Sequence, residues 1–102
     1  MKRFVKQPAD VLDYDIDLKA WFKTLDSDYV LSATVAVTEG DGLLEAGPTP
    51  HPPYTIVGED KDLLKVWLGG GTNGQEYKVT VVATTAEDRV KEIDFKVRVK
   101  EI

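Results

Sequence analysis

Hydrophobic and polar residues alternate along four stretches of this chain with a period of two. Leu12, Tyr14, Ile16 and Leu18 alternate with Asp13, Asp15 and Asp17. Tyr29, Leu31, Ala33, Val35 and Val37 take one side of the next stretch, and Ser32, Thr34 and Thr38 the other. Tyr77, Val79, Val81 and Ala83 alternate with Lys78, Thr80 and Thr84, and Ile93, Phe95, Val97 and Val99 with Asp94, Lys96, Arg98 and Lys100. A strand sends successive side chains to opposite faces, so each stretch is predicted as a half-buried strand. The β-branched and aromatic residues that fill the apolar positions fit a pleated surface. The predicted core is Tyr14, Ile16, Leu31, Val35, Val66, Tyr77, Val79, Phe95 and Val97.

Turn chemistry separates these runs. EGDG (39–42) follows the second, GGGTNG (69–74) precedes the third, and AEDR (86–89) reads as the hairpin loop between the last two. Shorter strand candidates are 43–46, 54–57 and 63–68, with an edge strand over 2–6. AWFKTLD (20–26) is the helical candidate, a single turn. AGPTPHPP (46–53) cannot be a central strand, because proline donates no ladder hydrogen bond, and it reads as an extended surface loop. About seven short strands separated by turns predict an all-β, immunoglobulin-like antiparallel β-sandwich. Tyr77 stands near the start of the penultimate strand, after a glycine turn. This is the place of a tyrosine corner, whose hydroxyl returns to nearby backbone; the alternative is a plain core aromatic.

Composition narrows the function more than the fold. The chain has 102 residues, which fits a single domain over 1–102. It has no cysteine, so neither a disulfide framework nor a thiolate nucleophile is available. The first residues, MKRFVKQPAD, lack the apolar segment of a signal peptide, and no apolar run is long enough to span a membrane. The net charge of −5 is unlike the basic footprint of a nucleic-acid binder. Neither a nucleic-acid nor a membrane partner is expected.

The candidate chemistry is sparse. Asp13, Asp15 and Asp17 do not form an EF-hand: counting from Asp13, Leu18 stands where the loop needs glycine and Thr24 where it needs glutamate. They read as the wet side of a strand, with an intermolecular contact or a weak surface cation site as the alternative. GGGTNGQ lacks the G-K-[ST] ending of a phosphate loop and precedes a strand, so it reads as a loop needing positive φ. His51 is the only histidine. It cannot build a metal cluster alone, and a triad with Ser27 or Ser32 has little support. No catalytic residue, cofactor or metal is assigned, and the chain is not expected to be an enzyme. Trp67 faces outward if Val66 and Leu68 face in, where it would suit a protein hot spot or a sugar platform; otherwise it is a core aromatic. In an immunoglobulin-like order the Asp13/Asp15/Asp17 stripe and the Lys96/Arg98/Lys100 stripe fall on opposite sheets, giving an acidic face and a basic one; if the two strands are neighbours the stripes form cross-strand ion pairs, and the plain reading is ordinary solubilising charge.

Two segments resemble a known family. Asp13-Tyr14-x-Ile16-Asp17 and Trp21 are followed by Trp67-Leu68-Gly69-Gly70-Gly71-Thr72-x-Gly74-x-x-Tyr77-x-Val79-Thr80, then Thr84-Thr85 and a final alternating strand. The pattern is similar to small immunoglobulin-like structural proteins of tailed bacteriophages and prophages, from head, neck and tail genes, some of them fibre–tail adaptors. Leu18 stands where the resemblance leads to an aromatic, and Asp88 where it leads to glycine. The resemblance implies a non-enzymatic virion protein that joins or decorates head, neck or tail and fibre components. Such a protein would be made in the host cytoplasm, be monomeric in isolation and be present in several copies in the particle. A chain that begins at its own methionine without a signal agrees with that expectation. The candidate contact residues are Lys96, Arg98 and Lys100 on the last strand, and Pro50, His51, Pro53, Tyr54 and Trp67 in and beside the proline loop. The other reading is a binding module for surface carbohydrate or a host receptor.

Overall fold

The computed structural model describes residues 2–25, 27–41 and 44–101. Asp26 of the predicted helix, Gly42 of the predicted turn and Leu43 of the predicted strand lie outside them. Among the described residues eight strands form: β1 (Lys2–Lys6), β2 (Val11–Asp17), β3 (Val30–Glu39), β4 (Leu44–Ala46), β5 (Tyr54–Val57), β6 (Leu63–Gly70), β7 (Glu76–Thr85) and β8 (Val90–Val99). One short helix, α1 (Lys19–Phe22), follows β2. The chain is nearly all β, as predicted, with one strand more than about seven.

The strands make two sheets. The first has the order β1-β8-β7-β3; in the second, β6 is flanked by β2 on one side and by β4 and β5 on the other. The pairing is not wholly antiparallel, because β1 runs parallel to β8, from Lys2 opposite Phe95 to Lys6 opposite Val99. The core lies between the sheets. Tyr14 and Ile16 of β2 and Leu64, Val66 and Leu68 of β6 meet Tyr77, Val79, Val81 and Ala83 of β7 and Phe95, Val97 and Val99 of β8. Every one of these comes from the inward set of its strand, which is why the alternation is so clear in the sequence. Phe4 of β1 joins them, 4.8 Å from the Tyr14 ring and 5.7 Å from that of Phe95.

β3 departs from its predicted phase. A register shift falls between Val30 and Ser32, so Val30 is fully buried and the next residue, Leu31, is 53% exposed. Leu31 is therefore not a core residue, and Tyr29 is exposed as well. A bulge adds one residue to one strand only, and with a side-chain period of two that extra residue reverses every position on one side of it. Ala33, Val35 and Val37, beyond the shift, keep the inward phase. The helix is the single predicted turn, carried by Phe22 N–H to Leu18 O at 3.0 Å and Lys23 N–H to Lys19 O at 3.0 Å. It lays Trp21 and Phe22 against one end of the core.

Among the described residues, Lys6, Thr85 and Asp62 are buried where the sequence pattern shows nothing unusual. Lys6 is 2% exposed; its ammonium donates to Gly70 O and, at 2.7 Å, to Gln7 O. Burial pushes its pKa down against the opposing effect of nearby Asp10. Thr85 is fully buried, and Asp62 is nearly so.

Candidate functional site

The outer face of the second sheet is built by register. Asp13 stands opposite Trp67 and Asp15 opposite Lys65, so these side chains share the outward surface while Tyr14, Ile16, Val66 and Leu68 turn inward. The aspartate stripe is therefore a strand face, as expected, and it carries its own counter-charge. Lys65 Nζ lies 2.6 Å from Asp13 Oδ2 and 3.2 Å from Asp15 Oδ1. The hydrogen bond from Lys65 holds the Asp13 carboxyl below the usual carboxylate range, and the same bonds raise the Lys65 pKa. Among the described residues, no three His, Cys, Asp or Glu gather as metal ligands.

The proline loop crosses this face. β4 ends with Ala46 opposite Leu68 and β5 begins with Tyr54 opposite Val66, so residues 47–53 leave the sheet at Trp67. Trp67 holds both ends of the excursion: its carbonyl accepts from Gly47 N–H at 3.0 Å, and its N–H donates to Pro53 O at 3.1 Å. Gly47 has a φ of +75°, and a Cβ there would sit 2.7 Å from Pro53 N, so the pinch requires glycine. Pro48 packs over Gly69, where a Cβ would approach it to 3.0 Å. The His51 N–H closes a turn onto Pro48 O at 2.8 Å, and the imidazole lies flat on the Trp67 indole, 3.6 Å between centroids and 3° from parallel. The loop is thus folded back onto the sheet and is not extended, because Gly69 and Trp67 give it a seat. Trp67 points outward but lies half-buried beneath His51. Tyr54 points inward and packs on the core.

The outer face of the first sheet carries Lys96 and Arg98, with Lys100 just beyond β8. Acids separate these cations. Glu76 pairs with Lys96 at 3.4 Å and with Arg3 at 3.2 Å, and Arg98 stands opposite Glu76 in the ladder. Lys78 reaches Glu39 at 3.6 Å and Asp94 at 3.9 Å. The surface is a mosaic of both signs and not a basic face, which fits the reading of ordinary solubilising charge. The candidate contact residues accordingly divide between opposite faces. His51 and Trp67 come together on one, whereas Lys96 and Arg98 lie on the other.

Tyr77 joins two loops. It is 1% exposed, its hydroxyl donates to Asp41 O at 2.8 Å, and it accepts from Thr72 N–H at 2.9 Å. Gly70 at the end of β6, and Gly71 and Gly74 in the loop that follows, have positive φ, as the glycine run implied.

A second polar cluster escaped the sequence reading. The Asp28 side chain is fully buried, with Arg89 Nη1 at 2.8 Å from Oδ2 and the N–H groups of Tyr29 and Glu87 at 2.9 and 3.1 Å from Oδ1. Burial alone would raise its pKa, but hydrogen bonds from Thr85, Arg89 and the two N–H groups outweigh that and lower it to about 2. The cluster ties the approach to β3 to the β7–β8 turn, where Asp88 holds a φ of +61°. That left-handed conformation favours glycine, which accounts physically for the glycine expected there.

Compared with protein-family models, residues 6–98 match the family described as podophage GP4 fiber-tail adaptor protein gp77. No curated protein matches the chain.

Proposed function

Because the chain belongs to the podophage fibre–tail adaptor family, we propose that it is a non-enzymatic structural component of a tailed-phage virion. It would join fibre to tail through contacts made by its outward faces. The parallel β1–β8 pair and the partition of β1-β8-β7-β3 from β2-β6-β4 support reading the domain as immunoglobulin-like. The observation that carries the contact assignment is the seated loop. Pinned at both ends by the Trp67 backbone and stacked on its ring, residues 47–53 form a relief that is already ordered before any partner arrives. A preordered surface loses less conformational entropy on docking than a flexible one. The same stacking favours a protein partner over a sugar, since His51 occupies the indole face that a sugar ring would use.

The test is assembly. Phage particles produced without this chain should keep their tails and lose their fibres, and a His51→Ala/Trp67→Ala chain that folds normally should restore few of them. Fibres at wild-type occupancy without the chain would overturn the adaptor reading. Full restoration by the double variant would move the contact away from the loop.

A further inference from the structure

Each sheet of the sandwich leaves strand edges unpaired, and these edges are not protected alike. β1 carries Lys2, Arg3 and Lys6, and β2 carries Asp13, Asp15 and Asp17. The β4–β5 side is interrupted by a loop containing Pro48, Pro50, Pro52 and Pro53. Charge and proline are the usual devices that keep an edge from pairing with another chain. β3 has neither. Among the described residues it pairs only with β7, and its sequence, VLSATVAVTE, contains no charge before Glu39 and no proline.

The unprotected window is defined by the ladder. Register shifts at Val30/Ser32 and Val37/Glu39 leave a regular segment, Ser32–Val37, spanning roughly 20 Å. Along it Ser32, Thr34 and Ala36 are exposed, whereas Ala33, Val35 and Val37 are only half-buried at the margin of the core. The outer surface beside the window is uncharged as well: Thr80, Val82 and Thr84 of β7 face Ala36, Thr34 and Ser32. At its end Leu31 is 53% exposed and Val90 67% exposed, and Val90 stands opposite Thr84. Monomeric surfaces seldom leave an apolar corner next to an open strand edge.

We propose that the β3 edge is an interface between two copies of this chain, joined β3 to β3 in antiparallel fashion so that two four-stranded sheets become one continuous sheet. A second copy of the window is compatible with it. It has the same length and is uncharged, so in any antiparallel register within it no like charges oppose each other. Such pairing is isologous and closes on itself, and the partner strand covers Ala33, Val35 and Val37. The proposal replaces the monomer expected from sequence and does not depend on the fibre–tail reading.

Sedimentation of the purified chain over a concentration series tests it. The mean mass should rise from 11.3 kDa towards twice that value. A Thr34→Lys/Ala36→Lys chain alters only exposed positions, and it should keep its circular dichroism and stay at the monomer mass. Hydrogen exchange on the wild-type chain supplies a readout that needs no variant: amide protection within 32–37 should increase with concentration. A constant 11.3 kDa mass across the series overturns the proposal. So does undiminished association of the folded lysine variant, or protection gained in the 47–53 loop and not in β3.

Discussion

Removing one oxygen from Tyr77 should destabilise this protein in a way that can be calculated beforehand. Tyr77→Phe keeps the ring, which is 1% exposed, and deletes one donor to Asp41 O and one acceptor from Thr72 N–H. Each such bond contributes about 1 kcal/mol net. Asp41 and Thr72 lie in exposed loops where water can partly replace the hydroxyl, so the sum should stay near 2 kcal/mol and not reach the full desolvation penalty. Unfolding entropy of about 2.1 cal/mol/K per residue gives about 0.21 kcal/mol/K for 102 residues, so Tm should fall by about 10 °C. The internal control is Tyr14→Phe. Tyr14 is 8% exposed, and its hydroxyl is buried without a hydrogen-bond partner, so the same deletion removes an unsatisfied group. That variant should be neutral or more stable. Thermal melts by circular dichroism and urea titrations by tryptophan fluorescence, with an unchanged m-value, would measure both. If Tyr77→Phe melts within about 2 °C of wild type, or if the two variants lose stability equally, the loop-joining role of Tyr77 is wrong.

Further outcomes follow from other residues. Gly40→Ala should destabilise strongly, because Gly40 has a φ of +115° and its Cβ would collide with Tyr77 Cδ1 and lie 2.9 Å from Glu76 O; a near-wild-type denaturation midpoint would contradict this. Asp28 has a folded pKa lowered from 3.8 to about 2, so its contribution is complete above about pH 4 and is lost as pH falls towards 2. Tm against pH should therefore be flatter over that interval for Asp28→Asn than for wild type, and equal slopes would refute the cluster's role. Val79→Asp should prevent cooperative folding, since Val79 is fully buried and an unpaired charge there has no partner; a normal melt would displace Val79 from the core. Neutralising Lys96, Arg98 and Lys100 to glutamine should cost at most about 1 kcal/mol, as expected of exposed ion pairs, yet reduce incorporation into particles. Wild-type incorporation would leave the other face as the contact.

Reading the sequence alone was enough to identify the strands whose burial simply follows alternation. β7 and β8 could be seen because their inward residues form period-two rows, and β2 because Tyr14 and Ile16 do, although Leu12 at its start is exposed. The outward aspartates and the positive-φ glycines were legible for the same reason: each depends on local backbone geometry that a few neighbouring residues dictate. What the sequence could not decide depends on which distant residues meet. A single-residue bulge turned Leu31 outward, and no pattern within VLSATVAVT marks where the extra residue falls. The counter-charge for Asp13 and Asp15 comes from Lys65, about fifty positions away, through a register set by the whole second sheet. His51 settles on Trp67 only because β4 and β5 rejoin the same side of β6 and force the prolines between them back over Gly69. Lys6 is buried because β1 pairs in parallel with β8, a contact between the two ends of the chain. Alternation is a property of one strand and is written in consecutive residues. Register, bulge position and loop seating are properties of pairs of strands, settled when the two inner faces close on one core and leave each outer face the partners that closure brings to it.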